Sequence, residues 1–225
     1  VKYQIQMGKK FCKLVEALRF FTANEKSTTR YSMLIAISGS HSLGKSTMVN
    51  DFIEAHPEFI YELEPYRALR DKYDIKFAKE STQHCADVQV DYLIERMKSH
   101  SKSDQVIFDR CLIDFLPYCQ YTAKYAQTDI ENDYLQRLAK KIRENIHYID
   151  LIIFLPITDK HLIHLEDDGI RPTDVEYRSE VDEYFKEIYR KNAFDLLSLP
   201  NAPRVVEMWG PRKERINKLD KLVWG

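Results

Sequence analysis

Long apolar runs are missing from this chain. The longest, Ile149 to Ile157, is interrupted by Asp150 and Pro156, well short of the roughly 18 to 20 residues that a membrane span requires, so a soluble protein is expected. Cysteine is scarce. Cys12, Cys85, Cys111 and Cys119 are the only four in 225 residues, and no two form a CxxC pair, which argues against a disulfide framework and for free thiols in a reducing, cytoplasmic compartment. Metal-ligand spacing is nearly absent too. Of seven histidines only His161 and His164 stand close enough to share an ion, and surface positions are expected for both. Nor is there excess charge of one sign: 34 basic against 35 acidic residues leave −1, with no overall field to draw nucleic acid.

What is present describes a folded chain. Hydrophobic residues make up 44% and charged residues 31%, near the globular average, and this length buries roughly 70% of its unfolded surface without staples. The charge is unevenly spread. Residues 1–32 carry seven basic and two acidic residues, and residues 33–225 carry 27 against 33. Phe11, Leu14, Val15, Leu18 and Phe21 fall at helical spacing, which predicts a short basic amphipathic helix docked on the body, and Asn24 to Ser32 read as a linker. An organelle-targeting role for this segment and a translation start at Met33 stay open. The expected division is a basic helix and linker over 1–32 and one domain over 33–225.

Within that domain apolar runs alternate with helical stripes. Strands are predicted at Leu34 to Ile37, Phe59 to Leu63, Val106 to Phe108, Leu151 to Leu155 and Val205 to Met208. Helical stripes run through Met48, Val49, Phe52 and Ile53, then Ala86 to Met97, Ile130 to Ile142, and Val181 to Ile188. Strands separated by helices predict right-handed crossovers and a three-layer α/β/α sandwich on a five-stranded parallel sheet.

The sharpest motif lies between the first strand and the first helix. Gly39-Ser40-His41-Ser42-Leu43-Gly44-Lys45-Ser46 satisfies GxxxxGK[ST], and Thr47 continues it. Such a loop wraps backbone N–H groups around a polyphosphate, sends its lysine to the β- and γ-phosphates and offers its serine hydroxyl to Mg²⁺. ATP and Mg²⁺ are the expected cofactors. An NKxD element, Asn217 to Asp220, imitates a guanine-reading motif, but it lies in a charged stretch with no strand before it and reads as a solvated helix face. Asp109-Arg110 at the exit of the third strand is placed to hold the water shell of Mg²⁺ and to grip phosphate.

These residues resemble the P-loop nucleoside and nucleotide kinases, most closely the nicotinamide-riboside-kinase-like ATPases, from about Leu34 to Leu222. The resemblance implies roles. Glu64, in Glu64-Pro65-Tyr66-Arg67, would activate a sugar hydroxyl, with Asp109 as the alternative base and the Mg²⁺ residue together with Ser46. Gln89, or else Gln83, would face the substrate with Arg67, Asp114 and Tyr118, the last two following from a DRxxxDxxxY pattern. A lid over about 158–178 would bring Arg171, hinged at Gly169, and Arg178 onto the transferring group. Gly210-Pro211-Arg212 would sit near the adenine. Lys45, Arg110 and Arg171 would neutralise developing charge. Tyr66, Tyr118 and Tyr121 would stack on a base or serve as packing. The departure is Asp-Arg-Cys at 109–111, where deoxynucleoside kinases carry Glu-Arg-Ser. The expected partner is a nucleoside or nucleotide acceptor, with no nucleic acid and no membrane; a homodimer stays open. The alternative is a P-loop ATPase or nucleotide-binding regulator without a small-molecule acceptor.

Overall fold

A computed structural model describes residues 32–73, 75, 80–100, 103–160 and 174–225. The basic helix expected within 1–32, His161, His164, Gly169, Arg171 and most of the expected lid lie outside the described residues.

The unit is a five-stranded, wholly parallel sheet between two helical layers. Its strands are β1 (Met33–Ser38), β2 (Ile60–Glu62), β3 (Gln105–Phe108), β4 (Leu151–Phe154) and β5 (Arg204–Glu207), in the order β2-β3-β1-β4-β5. Seven α-helices are described: α1 (Lys45–Ala55), α2 (Pro65–Tyr73), α3 (Gln83–Ser99), α4 (Phe115–Lys124), α5 (Asn132–Asn145), α6 (Val175–Lys191) and α7 (Arg212–Trp224).

The layering follows from strand alternation. Successive side chains point to opposite faces, so β1 gives Leu34 and Ala36 to one core and Ile35 and Ile37 to the other. The first core holds Val90, Leu93 and Met97 of α3 and Leu138 and Ile142 of α5. The second holds Met48, Val49 and Phe52 of α1 and Leu219 of α7. Both faces being covered, the strands read as continuous apolar runs, which is why they were visible in the sequence.

Strand order places the site. β1 is flanked by β3 on one side and β4 on the other, with Ala36 level with Phe108 and with Ile152. The chain leaves β1 for β2 by passing β3, and leaves β3 for β4 by passing β1. Ligands bind at such a reversal, outside the carboxyl ends of the strands. Ser38, Asp109 and Leu155 stand at that rim, where the Leu155 N–H donates to the Ser38 carbonyl and the Asp109 N–H to the Glu62 carbonyl, each at 2.9 Å.

Candidate active site

The loop after β1 is shaped by backbone constraints. Gly39 has φ 138° and Gly44 φ 74°, and a β-carbon on Gly39 would stand 2.4 Å from the Leu155 carbonyl oxygen. α1 then starts with no side-chain cap and no acidic residue in its first turn, so its first N–H groups are left for an anion. The buried Lys45 ammonium donates back across the loop to the carbonyls of Gly39 (2.9 Å) and Ser40 (2.6 Å). The Ser40 hydroxyl is buried with no hydrogen-bond partner among the described residues. His41 stacks on Tyr177 of α6 at 5.5 Å between ring centres, fixing the tip of the loop. Leu43 is buried, Ser42 and Ser46 are half-buried, and Thr47 is exposed.

Beside this cradle lies a cavity of about 510 Å³, mouth included, lined by Glu64, Pro65, Ser81, Ala86, Gln89, Arg110, Asp114, Phe115, Tyr118 and Cys119. Four elements deliver these groups. Glu64 and Pro65 mark the β2–α2 junction, Gln89 comes from α3, Arg110 follows β3, and Tyr118 stands one turn along from Asp114 on α4. Arg110 organises them. Its Nε and Nη2 donate to Glu64 Oε1 at 3.0 and 2.8 Å, and its Nη1 reaches Asp114 Oδ2 at 3.3 Å and the Gly39 carbonyl at 3.4 Å. The Tyr118 ring lies 5.4 Å from the guanidinium carbon. Burial works against the charge on Arg110, but Tyr118, Glu64 and Asp114 outweigh it and hold its pKa well above the ordinary value. Arg67, exposed and outside the cavity lining, pairs with the other oxygen of Glu64 at 3.2 Å. Gln89 is anchored through Nε2 to the Cys85 carbonyl at 3.1 Å. Gln83, the other candidate, instead bonds to Asp129 and Arg137.

Behind the cavity runs a polar chain that sequence spacing did not reveal. The Tyr189 hydroxyl of α6 donates to Ser38 Oγ at 2.7 Å, and Ser38 in turn donates to Asp114 Oδ1. Burial pushes the Asp114 carboxyl up to about 6, while Arg110, Lys45 and the Ser38 hydroxyl pull it back. Asp109 lies nearer the α1 side, where it accepts from Tyr61 at 3.3 Å. The hydroxyl of Ser46 and the carboxylate of Asp109 are the oxygen donors that suit Mg²⁺. No cluster of three metal-ligating side chains is found among the described residues.

Arg178 lies in the first turns of α6, buried, with Nε and Nη1 lacking a partner among the described residues. Burial lowers its pKa while Asp182 supports the charge. Pro211 caps α7, and Arg212 is engaged in a two-bonded ion pair with Asp51 of α1. Its neighbour one turn on, Arg215, is the residue of α7 that reaches the loop, donating to the Leu43 carbonyl at 3.1 Å. Thus the stretch read as a solvated face is helical but docked on one side through Arg215 and Leu219, and Asp220 of the NKxD imitation bonds to His56 at 2.8 Å. Of the tyrosines, Tyr121 packs edge-on against Tyr177, Tyr66 joins the cluster of Leu69, Ile75 and Cys85, and Tyr118 lines the cavity.

Comparison with known proteins agrees with this architecture. Among solved structures, the NadR protein in complex with NR superposes with a TM-score of 0.60 at 20% identity over 85% of this chain, which spans only about half (51%) of that protein. Deoxyadenosine kinase from M. mycoides, with the products dCMP and dCDP, gives 0.57 at 19% identity over 84% of this chain and 100% of that one. Thymidylate kinase from Candida albicans gives 0.54 at 16%, covering 86% and 91%. No curated protein matches the sequence. A family model described as AAA domain matches residues 34–205. On that match, which covers well over half its length, the chain belongs to the AAA domain family, and its fold is that of the P-loop nucleoside and nucleotide kinases.

Proposed function

We propose that the protein is an ATP-dependent kinase that transfers the γ-phosphoryl group of MgATP to a hydroxyl of a nucleoside-like acceptor, with nicotinamide riboside the leading candidate. The observation that carries this reading is the meeting of Glu64, Gln89, Arg110, Asp114 and Tyr118 on one cavity beside the phosphate loop. An ATPase or regulator has no need of a second pocket equipped with a carboxylate clamped by an arginine.

The residues present fit the cofactor: an uncapped helix N-terminus, a Ser40 hydroxyl with no partner among the described residues, and oxygen donors at Ser46 and Asp109. When bound, MgATP supplies the transferable phosphoryl group. Residues 39–47, Lys45 among them, would hold the polyphosphate, and Ser46 and Asp109 would hold the dication. In the cavity, Glu64 accepts the proton of the acceptor hydroxyl, oriented by Arg110 and Arg67. Gln89, Asp114 and Tyr118 hold the acceptor by its polar edges. Arg110 and Lys45, together with the expected lid arginines Arg171 and Arg178, would neutralise the developing charge. NadR, solved with NR, shares this fold, which supports the choice of acceptor.

The test is direct. Incubate the protein with MgATP and a panel of nicotinamide riboside, purine and pyrimidine nucleosides and their monophosphates, and weigh the products. A gain of one phosphoryl group on a nucleoside is expected. ATP hydrolysis with no phosphorylated product across the panel would overturn the reading in favour of an ATPase or regulator.

A further inference from the structure

Arg215 is only 7% exposed although it carries a charge. Its Nη1 donates to the Leu43 carbonyl at 3.1 Å, and its Nη2 lies 3.1 Å from where a β-carbon on Gly44 would stand. The guanidinium is therefore seated against the Leu43–Gly44 peptide, on the α7 side of the loop. Its Nε is buried with no partner among the described residues. The nearby carboxylate, Asp51, is already held by two bonds from Arg212. A buried, incompletely paired cation is destabilising unless opposite charge lies close by. Here the protein supplies little of it.

Peptide geometry indicates where the compensating charge belongs. A trans peptide carries its carbonyl and its N–H in opposite directions. A cation on the Leu43 carbonyl therefore polarises that peptide and strengthens the Gly44 N–H as a donor on the opposite side of the loop, the side that such a loop turns to phosphate.

We infer that Arg215 is a positioning residue for the donor nucleotide: from behind the loop, its charge sets the Leu43–Gly44 peptide to grip the α- and β-phosphates of a nucleoside di- or triphosphate. The inference rests on the reading of residues 39–47 as a polyphosphate site and adds a residue outside the motif. It also accounts for a second requirement at Gly44, where a methyl group would press on the guanidinium as well as strain the backbone.

The test compares the full chain with R215Q, which removes the charge and keeps a polar amide, and with R215K, which keeps the charge. Calorimetric binding of ATP, ADP and adenosine, each with Mg²⁺, is measured at several salt concentrations. R215Q is expected to weaken ATP and ADP at least tenfold and adenosine less than twofold, and to bind ATP with a shallower salt dependence. R215K is expected to recover most of the loss. If R215Q does not fold, R215M takes its place under the same criteria. ATP binding by the uncharged variant within twofold of wild type overturns the inference, as do equal losses in R215K and R215Q with both folded, since packing alone would then explain the effect. Failure of the wild-type protein to bind ATP at all would overturn the polyphosphate reading itself, and this inference with it.

Discussion

At the scale of single residues, Glu64 and Gly39 carry the most demanding claims. Glu64 is buried, and three N–H groups from Arg110 and Arg67 fix both its oxygens. Glu64→Gln preserves its size while removing its charge. Turnover is expected to fall by roughly 10² to 10⁴, with ATP affinity measured by calorimetry staying within about twofold; unaltered turnover would leave Asp109 as the base. Gly39→Ala is a stability experiment. Its φ of 138° and the 2.4 Å approach to the Leu155 carbonyl leave no room for a methyl group, so urea unfolding should report a loss of about 2 kcal/mol or more. Gly39 was legible in the sequence because a motif fixes its own local spacing, and Glu64 was marked by the resemblance to nucleoside kinases. Ser38 and Tyr189 were not, since 151 residues separate them and only the sheet brings them together.

At the scale of elements, the strands and the longer helices were readable because each buries one periodic face. Two helices were missed. α2 announces itself only by Pro65 at its first position, a residue suited to a helix start but read as part of a catalytic pair. α4 is ten residues long and overlaps the DRxxxDxxxY spacing, whose polar residues mask the helical stripe; Asp114 and Tyr118 lie one turn apart there because the segment is helical. α6 carries Arg178 and Tyr177, and its start is held by Asp174, whose side chain accepts from the Tyr177 N–H at 3.0 Å. Asp174→Ala should cost about 1 kcal/mol in thermal or urea unfolding. It should also reduce turnover, because the freed first turn holds the Arg178 guanidinium and the ring on which His41 stacks. A stability loss with wholly unchanged kinetics would detach this turn from the site.

At the scale of the whole molecule, the sheet order puts two buried carboxylates with opposite pH behaviour within one rim. Burial raises Asp114 to about 6. Its protonated form is favoured by the folded state, so the stability it contributes is fully present below its unfolded value of about 4 and is lost as pH rises through about 6. Glu62 behaves in the opposite way. Burial would raise it, but hydrogen bonds from Arg96 and His100 outweigh that and hold it below the ordinary range. Its contribution is present above about pH 4.5 and is lost as pH falls through the lowered folded value. With these two groups alone, unfolding free energy should peak near pH 4 and decline on either side. Asp114→Asn should flatten the decline between about pH 4 and 6, which is on the order of 3 kcal/mol in the wild type, and Glu62→Gln should flatten the decline below about pH 4.5. The slope is the measurement, because each substitution also changes the absolute level by leaving Arg110, or Arg96 and His100, with a weaker partner. Urea unfolding at half-unit pH steps separates the two limbs. An unchanged slope between pH 4 and 6 in Asp114→Asn would mean that the carboxyl behind the loop titrates like an exposed one, and that the chain from Tyr189 through Ser38 to Arg110 does not keep it dry.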